Sequence, residues 1–324
     1  MEFELPGRLT LGLIRASHAR IADKIHRTPV LTSETLDAEA GARLFFKCEN
    51  LQKVGAFKAR GATNAVFSLS HSAIRQGVVT HSSGNHAAAL ARAAKLRGIA
   101  AHIVMPTTAP RAKQAAVLRY GGHIIFCEPT LESRETTAAR VIAETGAAFV
   151  HPYNDMQVMA GQGTTAIEFI ESVPDLDLIL CPVGGGGLLS GIAVAAKALK
   201  PFIRVIGVEP AKADDAYRSL NAGYIVPSLN PSTIADGLMT SLGERPFVEI
   251  KHYVDEIVTV TEGAIVSAMR LIWEVMKLVV EPSAAVAYAA ILEHKLELAD
   301  KHLGVILTGG NLDLEHLPWQ ERSQ

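Results

Sequence analysis

The sequence predicts an α/β protein with two lobes, each built on a parallel sheet with helices on both faces. Short apolar runs are followed by a turn and then by a helical pattern, and this alternation recurs along the 324 residues. One compact series of such units fills residues 77–153, and segments rich in glycine and polar residues flank it. We therefore expect a smaller lobe of residues 75–153 inserted into a larger lobe of residues 1–74 and 154–324.

The individual elements follow from the same pattern. GVVTHSSGNHAAALARAAKLRG (77–98) predicts a strand, a polar turn and an Ala-rich helix. AHIVMP (101–106) and HIIFC (123–127) predict strands that are each followed by a helix, and AAFVHPY (147–153) predicts a fourth strand. In the larger lobe the rhythm continues in DLILCPVGGGGLLSGIAVAAKAL, RVIGVEP and GVILTGGN. Such proteins bind ligands at the carboxyl ends of parallel strands, so we expect a site between the lobes.

Composition and charge argue against several classes of protein. The 31 Lys and Arg residues nearly balance the 33 Asp and Glu residues, and a net charge of −2 gives no footprint for nucleic acid or an anionic membrane. Cys48, Cys127 and Cys181 are too few and too scattered for a disulfide framework or a CxxC metal site. The N-terminal segment lacks the apolar core of a signal peptide, and charges interrupt the longest apolar runs. We expect a reduced, cytoplasmic enzyme.

Lys58 lies between Phe57 and Ala59 in GAFKARGA, among small and apolar residues. Burial in such surroundings disfavours the ammonium form, lowers the pKa and gives an amine suited to Schiff-base chemistry. Taken alone, however, the pattern fits a solvated lysine at the start of a helix better.

A run of four glycines in PVGGGGLLSGIA lies between a predicted strand and a predicted helix, where backbone amides can surround a phosphate. Each glycine costs about 0.5–1 kcal/mol of backbone entropy relative to alanine, so a flexible turn is a poor explanation for all four. The run is not a GxGxxG dinucleotide fingerprint. It predicts a phosphate site.

The turn SSGNH (82–86) precedes an Ala-rich helix, and its amides suit a carboxylate as well as a phosphate. The alternative is plain N-capping by Ser or Asn, which stabilises a helix by about 1 kcal/mol. Capping requires only one such residue, so the longer polar run favours a ligand.

Two further features are ambiguous on local evidence. Thr308 ends a strand in VILTGGN, where its hydroxyl suits either a heteroaromatic ring nitrogen or an ordinary turn. Glu209 and Asp215 in GVEPAKADDAY would suit a hard cation such as Mg²⁺ or Ca²⁺ together with a backbone carbonyl. Spacing alone favours an acidic helix start for these two carboxylates.

Taken together and in this order, the motifs resemble those of the fold-type II pyridoxal-phosphate (PLP) enzymes, within them the serine racemase and serine/threonine dehydratase family. The resemblance runs from RTPV (27–30) to GGNLDL (309–314). It implies a fold like that of tryptophan synthase β, PLP as cofactor, a small amino acid as substrate and a homodimer. Lys58 would form the Schiff base with the cofactor.

The resemblance also implies roles for individual residues. Cofactor contacts are implied for Phe57, Lys58, Asn85, Gly184, Gly185, Gly186, Gly187, Gly237, Glu281 and Thr308. Substrate contacts are implied for Ser82, Ser83, Gly84, Asn85, His86 and Arg134. Within these sets, Ser83 matches the racemase serine that faces the substrate opposite Lys58, and Arg134 suits the distal group of a dicarboxylate.

Glu209, the carbonyl of Ala213 and Asp215 match the divalent-cation site of the family, so the resemblance favours Mg²⁺ or Ca²⁺ over a simple helix start. Val54 and Ala88 replace residues common near a nucleotide-effector site of the animal racemases, and regulation by ATP is therefore not expected. A chain of 324 residues leaves no room for the C-terminal regulatory domain of biosynthetic threonine dehydratases, so isoleucine feedback is not expected either.

The expected reaction is removal of the α-proton by Lys58 and loss of water from L-serine, L-threonine or threo-3-hydroxyaspartate, giving a keto acid and ammonia. If Ser83 returns a proton to the opposite face, the outcome is racemisation, so serine racemase as the main activity is an alternative. The motifs also leave open a β-replacement enzyme like cysteine synthase and a non-catalytic phosphate-binding protein.

Overall fold

The computed structural model describes residues 7–320, which form two sheets. The larger sheet has six strands in the order β1 (Val30–Leu31), β2 (Arg43–Cys48), β10 (His302–Leu307), β7 (Leu178–Pro182), β8 (Arg204–Pro210) and β9 (Glu256–Val260). The smaller sheet has four strands in the order β5 (His123–Cys127), β4 (Ala101–Pro106), β3 (Val78–His81) and β6 (Ala148–Phe149). The strands of both sheets run parallel except for the pair β1 and β2.

Helices connect and cover the strands. In chain order they are α1 (Leu11–Ile21), α2 (Glu34–Ala40), α3 (Lys58–Ser68), α4 (Asn85–Arg97), α5 (Arg111–Arg119), α6 (Leu131–Thr145), α7 (Met156–Ser172), α8 (Gly187–Leu199), α9 (Asp215–Ala222), α10 (Glu244–Tyr253), α11 (Glu262–Met276) and α12 (Pro282–Leu292). Within residues 7–320, none of the helices combines the length and the hydrophobicity needed to span a membrane.

Side chains that alternate along the strands of the larger sheet supply a core on each face. On β7, Leu178 and Leu180 pack with α11 and α12, whereas Ile179 and Cys181 pack with α7 and α8. A parallel sheet buried on both faces requires apolar residues at successive positions, which is why its strands appear in the sequence as nearly continuous apolar runs.

The smaller sheet repeats this arrangement. Val78 packs on the side of α4, and Val79 packs on the side of α6. All four strands lie within 75–153, the range predicted for an inserted lobe. The lobe boundaries themselves stay a prediction, and residues 1–6 and 321–324 of the predicted larger lobe are outside the described residues.

Two strands differ from the sequence analysis. AAFVHPY was predicted as a strand over 147–153, but only Ala148–Phe149 pair with β3. Just beyond, the Nδ1 atom of His151 accepts the amides of Tyr153 (3.3 Å) and Asn154 (2.9 Å), and these bonds turn the chain out of the sheet. The other difference is β1, an antiparallel edge strand beside an otherwise parallel sheet.

Candidate active site

Three strand ends bring the predicted residues to one edge of the molecule. Ser82 follows β3, Gly184 lies just beyond β7, and Thr308 follows β10. The Thr308 carbonyl accepts the amide of Phe57 at 3.0 Å, which joins the segment bearing Lys58 to the end of β10. These are carboxyl ends of parallel strands, the edge at which α/β proteins bind ligands.

Lys58 begins α3 and is partly buried. Its Nζ atom donates a hydrogen bond to the Pro152 carbonyl at 2.9 Å and lies 5.1 Å from the centroid of the Phe57 ring. Burial lowers the pKa of Lys58 from 10.5 to about 8, because desolvation disfavours the charged form. A substantial fraction of the amine is thus neutral and nucleophilic near physiological pH, as the apolar context of the sequence predicts.

The turn Gly184–Gly187 leads from β7 into α8 and has no room for side chains. A Cβ atom on Gly185 would lie 2.3 Å from the Tyr153 ring, and one on Gly187 would lie 3.0 Å from the Cβ of Tyr153. Gly186 has φ +85°, a conformation that L side chains rarely adopt. No side chain in the described range caps α8, so its first amides are available to an anion.

The dipeptide Pro152–Tyr153 lies between these two features. The carbonyl of Pro152 accepts the bond from Lys58, and the side chain of Tyr153 packs on Gly185. The amine and the glycine turn are therefore on either side of one short segment. Such residues fit a cofactor that offers an aldehyde to a lysine and a phosphate to a helix N-terminus, and PLP has both groups.

The turn from β3 to α4 is also open to an anion. The hydroxyl of Ser82 accepts the amide of Gly84 at 3.3 Å, and among residues 7–320 no side chain caps α4, so the N-capping alternative does not apply. Ser83 is partly buried at the middle of this turn. His86 is buried at the helix start, where desolvation and then the charge of Lys58 hold its pKa well below its usual value.

Asn85 belongs to a polar network that crosses the cleft. Its Nδ2 atom donates to Oε1 of Glu281 at 2.9 Å, and its Oδ1 atom accepts from Nδ2 of Asn311 at 2.9 Å. Burial, followed by the charge of Asp236, raises the pKa of the Glu281 carboxyl to about 7. No role for Asn311 was predicted from the sequence. The sequence feature that could have identified it is its position three residues after Thr308, at the same strand end.

The segment Asp236–Leu238 packs against the glycine turn. The amide of Gly237 donates to the Ser283 hydroxyl at 3.1 Å, and a Cβ atom on Gly184 would lie 3.0 Å from Cα of Leu238. Gly237 therefore lies beside the glycine turn, and its contact with the cofactor stays a prediction. Ser283, which holds it there, was missed by the sequence analysis.

Arg134 lies on α6, in the smaller lobe. Its Nε atom is buried and has no hydrogen-bond partner among the described residues. Burial lowers the pKa of His81, and the charge of Arg134 lowers it further against the opposing charge of Glu135. Helix α6 packs against β3, and the charge of Arg134 acts on His81, the last residue of that strand.

The acidic segment buries two carboxylates close together. The Glu209 carboxylate accepts the amides of Ala216 (3.0 Å) and Tyr217 (2.8 Å) at the start of α9. Asp215 accepts the amide of Leu242 at 2.8 Å through Oδ2, while its buried Oδ1 has no partner within residues 7–320.

The two buried carboxylates favour a bound cation but could not coordinate it by themselves. Burial and the neighbouring Asp215 raise the pKa of Glu209 well above its usual value, and burial raises the pKa of Asp215 to about 6. A cation would offset this cost of charge burial. Over the described range no three His, Cys, Asp or Glu side chains cluster, so any cation there would also require backbone or water oxygens, such as the Ala213 carbonyl.

A buried ion cluster lies on the first turns of α3 and was not predicted from the sequence. The Arg60 guanidinium makes two hydrogen bonds of 2.8 Å to the Glu49 carboxylate, and bonds of 2.8 and 2.7 Å to Glu168. Lys47 donates to Glu168 at 2.7 Å. All four side chains are at most 2% exposed. Arg60 lies two residues after Lys58, so the cluster fixes the helix that begins at Lys58.

Comparisons with known proteins identify the family of the chain. The family model described as "Pyridoxal-phosphate dependent enzyme" matches residues 21–309. A protein named beta-hydroxyaspartate dehydratase from Paracoccus denitrificans is 54% identical over 94% of this chain and 96% of its own. The structure of maize serine racemase matches with a TM-score of 0.93 and 48% identity, covering 95% of each chain. The structure of a serine racemase from Dictyostelium discoideum matches with a TM-score of 0.91 and 48% identity, covering 94% of this chain and 99% of that one.

Proposed function

The chain belongs to the pyridoxal-phosphate dependent enzymes, and we propose that it removes water from a small β-hydroxy amino acid, giving a keto acid and ammonia. The observation that carries the proposal is the pairing of Lys58 with the glycine turn across Pro152–Tyr153. An amine of lowered pKa is set beside a helix N-terminus that suits a phosphate. A non-catalytic phosphate-binding protein would need the second feature but not the first.

The residues that would hold PLP divide by the part of the cofactor they suit. Lys58 would bind it covalently, Gly184–Gly187 would bind the phosphate, and Asn85 and Thr308 would contact the ring. When bound, PLP supplies an electron sink that acidifies the Cα–H bond of an attached amino acid. Phe57, Gly237 and Glu281 would complete the walls around it.

The chain itself supplies the proton transfers and the orientation. The Nζ atom of Lys58 would accept the Cα proton, and a pKa of about 8 suits an amine acting as a general base near neutral pH. The amides of 82–86 would hold the substrate carboxylate at the start of α4. Because the Thr308 hydroxyl cannot give a ring nitrogen a full proton, it should favour prompt loss of the β-hydroxyl.

We further propose that the substrate carries a second carboxylate, as in threo-3-hydroxyaspartate. The unpartnered Nε of Arg134 near the turn at 82–86 supports this, because a guanidinium binds a carboxylate through paired hydrogen bonds. The relative from Paracoccus denitrificans bears the name of a β-hydroxyaspartate dehydratase. Serine and threonine are the competing substrates.

A second candidate function is serine racemisation. It is supported by Ser83, which would return a proton to the face opposite Lys58, and by the likeness to maize serine racemase. In that case Ser83→Ala should abolish formation of the D-amino acid and spare part of the elimination. Equal loss of both activities would contradict a role for Ser83 on the second face.

A divalent cation, Mg²⁺ or Ca²⁺, is proposed for Glu209, Asp215 and the Ala213 carbonyl. The buried, unpartnered Oδ1 of Asp215 supports it. Chelation should lower the melting temperature of the wild type and leave that of Asp215→Asn unchanged. If chelation does not change the melting temperature of the wild type, the segment is only an acidic helix start and holds no cation. The homodimer and the cytoplasmic location also stay predictions.

The main test uses purified protein supplied with PLP. The wild type should be yellow, give a cofactor adduct that borohydride fixes to Lys58, and release keto acid from at least one of the three substrates without an added nucleophile. Lys58→Ala should form no such adduct. A normal adduct in that variant would contradict the lysine assignment, and a requirement for an added nucleophile would indicate β-replacement instead.

A further inference from the structure

Asn311 joins three segments at one end of the cleft. Its Nδ2 atom donates to the Val54 carbonyl at 2.7 Å and to Oδ1 of Asn85 at 2.9 Å, and its backbone amide donates to Oε2 of Glu281 at 3.1 Å. These partners belong to the loop before Lys58, the start of α4 and the residue before α12. Both hydrogens of the Asn311 side-chain amide are used in these contacts.

The carbonyl of Val54 fixes the direction in which the Asn311 amide points. A backbone carbonyl can only accept, so Asn311 must present its Nδ2 atom there, and the second hydrogen of that atom is directed to Asn85. Asn85 can meet a donor only with its Oδ1 atom. Its Nδ2 atom is then left to donate to Glu281, and one hydrogen of that Nδ2 remains for a ligand.

Glu281 does not determine this direction by itself. Burial raises the pKa of its carboxyl to about 7, so the ionised and the protonated forms are both populated near neutral pH. The ionised form accepts from Nδ2 of Asn85, whereas the protonated form is able to donate to Oδ1 instead. The side chain of Asn311, by contrast, can meet the Val54 carbonyl only through its Nδ2 atom.

The backbone before Lys58 also depends on Asn311. Val54 has φ 57° and Gly55 has φ 69°, and the left-handed region is costly for a β-branched residue such as valine. A Cβ atom on Gly55 would lie 2.7 Å from Oδ1 of Asn311. The bond from Asn311 to the Val54 carbonyl therefore secures a strained turn only four residues before Lys58.

We propose that Asn311 is a positioning residue, which orients the Asn85 amide so that this amide can only donate to a ligand and which holds the turn that places Lys58. The inference rests on the proposed function, in which Asn85 contacts an oxygen substituent on the ring of PLP. A donor at that contact stabilises the oxygen in its anionic form and disfavours its protonated form. Without Asn311, Asn85 would be able to rotate and present Oδ1 instead.

The test compares PLP-bound wild type with Asn311→Ala and with the isosteric Asn311→Asp, whose carboxylate has no hydrogen to donate. A matched control is Asn50→Ala. Nδ2 of Asn50 donates to the Val279 carbonyl at 3.0 Å beside the same loop, and among residues 7–320 no hydrogen bond joins Asn50 to Asn85. The PLP dissociation constant is measured by equilibrium dialysis, the absorption spectrum of bound PLP is recorded as a function of pH, and unfolding midpoints report structural damage.

In both Asn311 variants the PLP dissociation constant should rise about tenfold, the loss expected for one hydrogen bond to a charged group. The absorption should also shift toward the form protonated on the ring oxygen. Asn50→Ala should lower stability without either change. Wild-type values in both Asn311 variants, or equal shifts in Asn50→Ala, would overturn the inference and leave the proposed function intact. A wild type that binds no PLP would overturn both.

Discussion

Replacing Arg60 with methionine should remove more stability than any exposed ion pair contributes. In the wild type the buried charges balance, because Arg60 and Lys47 face Glu49 and Glu168. The substitution deletes four hydrogen bonds to carboxylates and leaves one buried negative charge in excess. Breaking a buried pair in this way costs about 3–5 kcal/mol, a large share of the 5–15 kcal/mol that typically separates folded from unfolded protein.

The pH dependence of this loss gives a second test. Burial opposes ionisation of Glu168, but His18, whose Nε2 atom lies 3.7 Å from the carboxylate, acts against it together with the hydrogen bonds and charge of Arg60 and the charge of Lys47. These groups hold the pKa of Glu168 far below its usual value. This stabilisation is fully present above about pH 4.3, the pKa of a glutamate in the unfolded chain. It is lost as the pH falls through the lower pKa that Glu168 has in the folded protein. Without the guanidinium, burial should raise the folded pKa of Glu168, so the variant should recover stability as its carboxyl is protonated.

The assay is urea unfolding followed by circular dichroism, with saturating PLP, at pH 7 and at pH 5. The control is Arg270→Met, since Arg270 pairs with Glu274 on the exposed surface of α11 and should contribute no more than about 0.5 kcal/mol. The difference between wild type and Arg60→Met should be smaller at pH 5 than at pH 7. A loss below about 1 kcal/mol at pH 7, or a difference that widens in acid, would refute the reasoning.

Two further predictions concern the glycine turn and the mouth of the cleft. In Gly185→Ala the new Cβ would lie 2.3 Å from the Tyr153 ring, so the PLP dissociation constant should rise about tenfold or more. In the control Gly12→Ala the nearest atom is 3.7 Å from the new Cβ, so the constant should not change. Equilibrium dialysis measures the constant in both variants. Lys113→Ala deletes an exposed ion pair with Asp236, which joins α5 to the segment Asp236–Leu238. The variant should lose less than about 1 kcal/mol of unfolding free energy but should have a higher substrate KM, and high salt should raise the KM of the wild type in the same way. An unchanged KM would rule out that pair as a contributor to closure.

The parts of the fold that follow from local patterns were predictable from the sequence. The continuous apolar run of β7 and the glycines after it can be recognised from neighbouring residues alone, and the structure has both features. The strand predicted over 147–153 was too long, because the apolar run did not reveal that the ring of His151 would accept the next amides and end the pairing.

The partners of the buried charges could not be predicted in the same way. Arg60 and Glu168 are 108 positions apart, and nothing in the periodicity of α3 or α7 indicates that they meet. Arg60 would ordinarily be assigned to a solvated helix face, since arginine is seldom fully buried without a partner. The same applies to Asn311, whose three partners come from distant parts of the chain. Identifying such residues requires the tertiary structure.

The contacts between the predicted lobes differ on the two sides of the cleft, and the difference bears on the proposed reaction. Behind the cleft, Val66 of α3 packs with Leu90 of α4 and Val158 of α7 in one apolar core, where separation would expose surface at about 25 cal/mol per Å². Across its mouth the contacts are polar, as in the exposed pair of Lys113 with Asp236, which is worth at most about 1 kcal/mol. Opening at the mouth therefore costs little and separation behind it costs much. In the proposed function, a substrate that contacts both sides would supply this small free energy of closure, and water would be excluded while Lys58 accepts the proton.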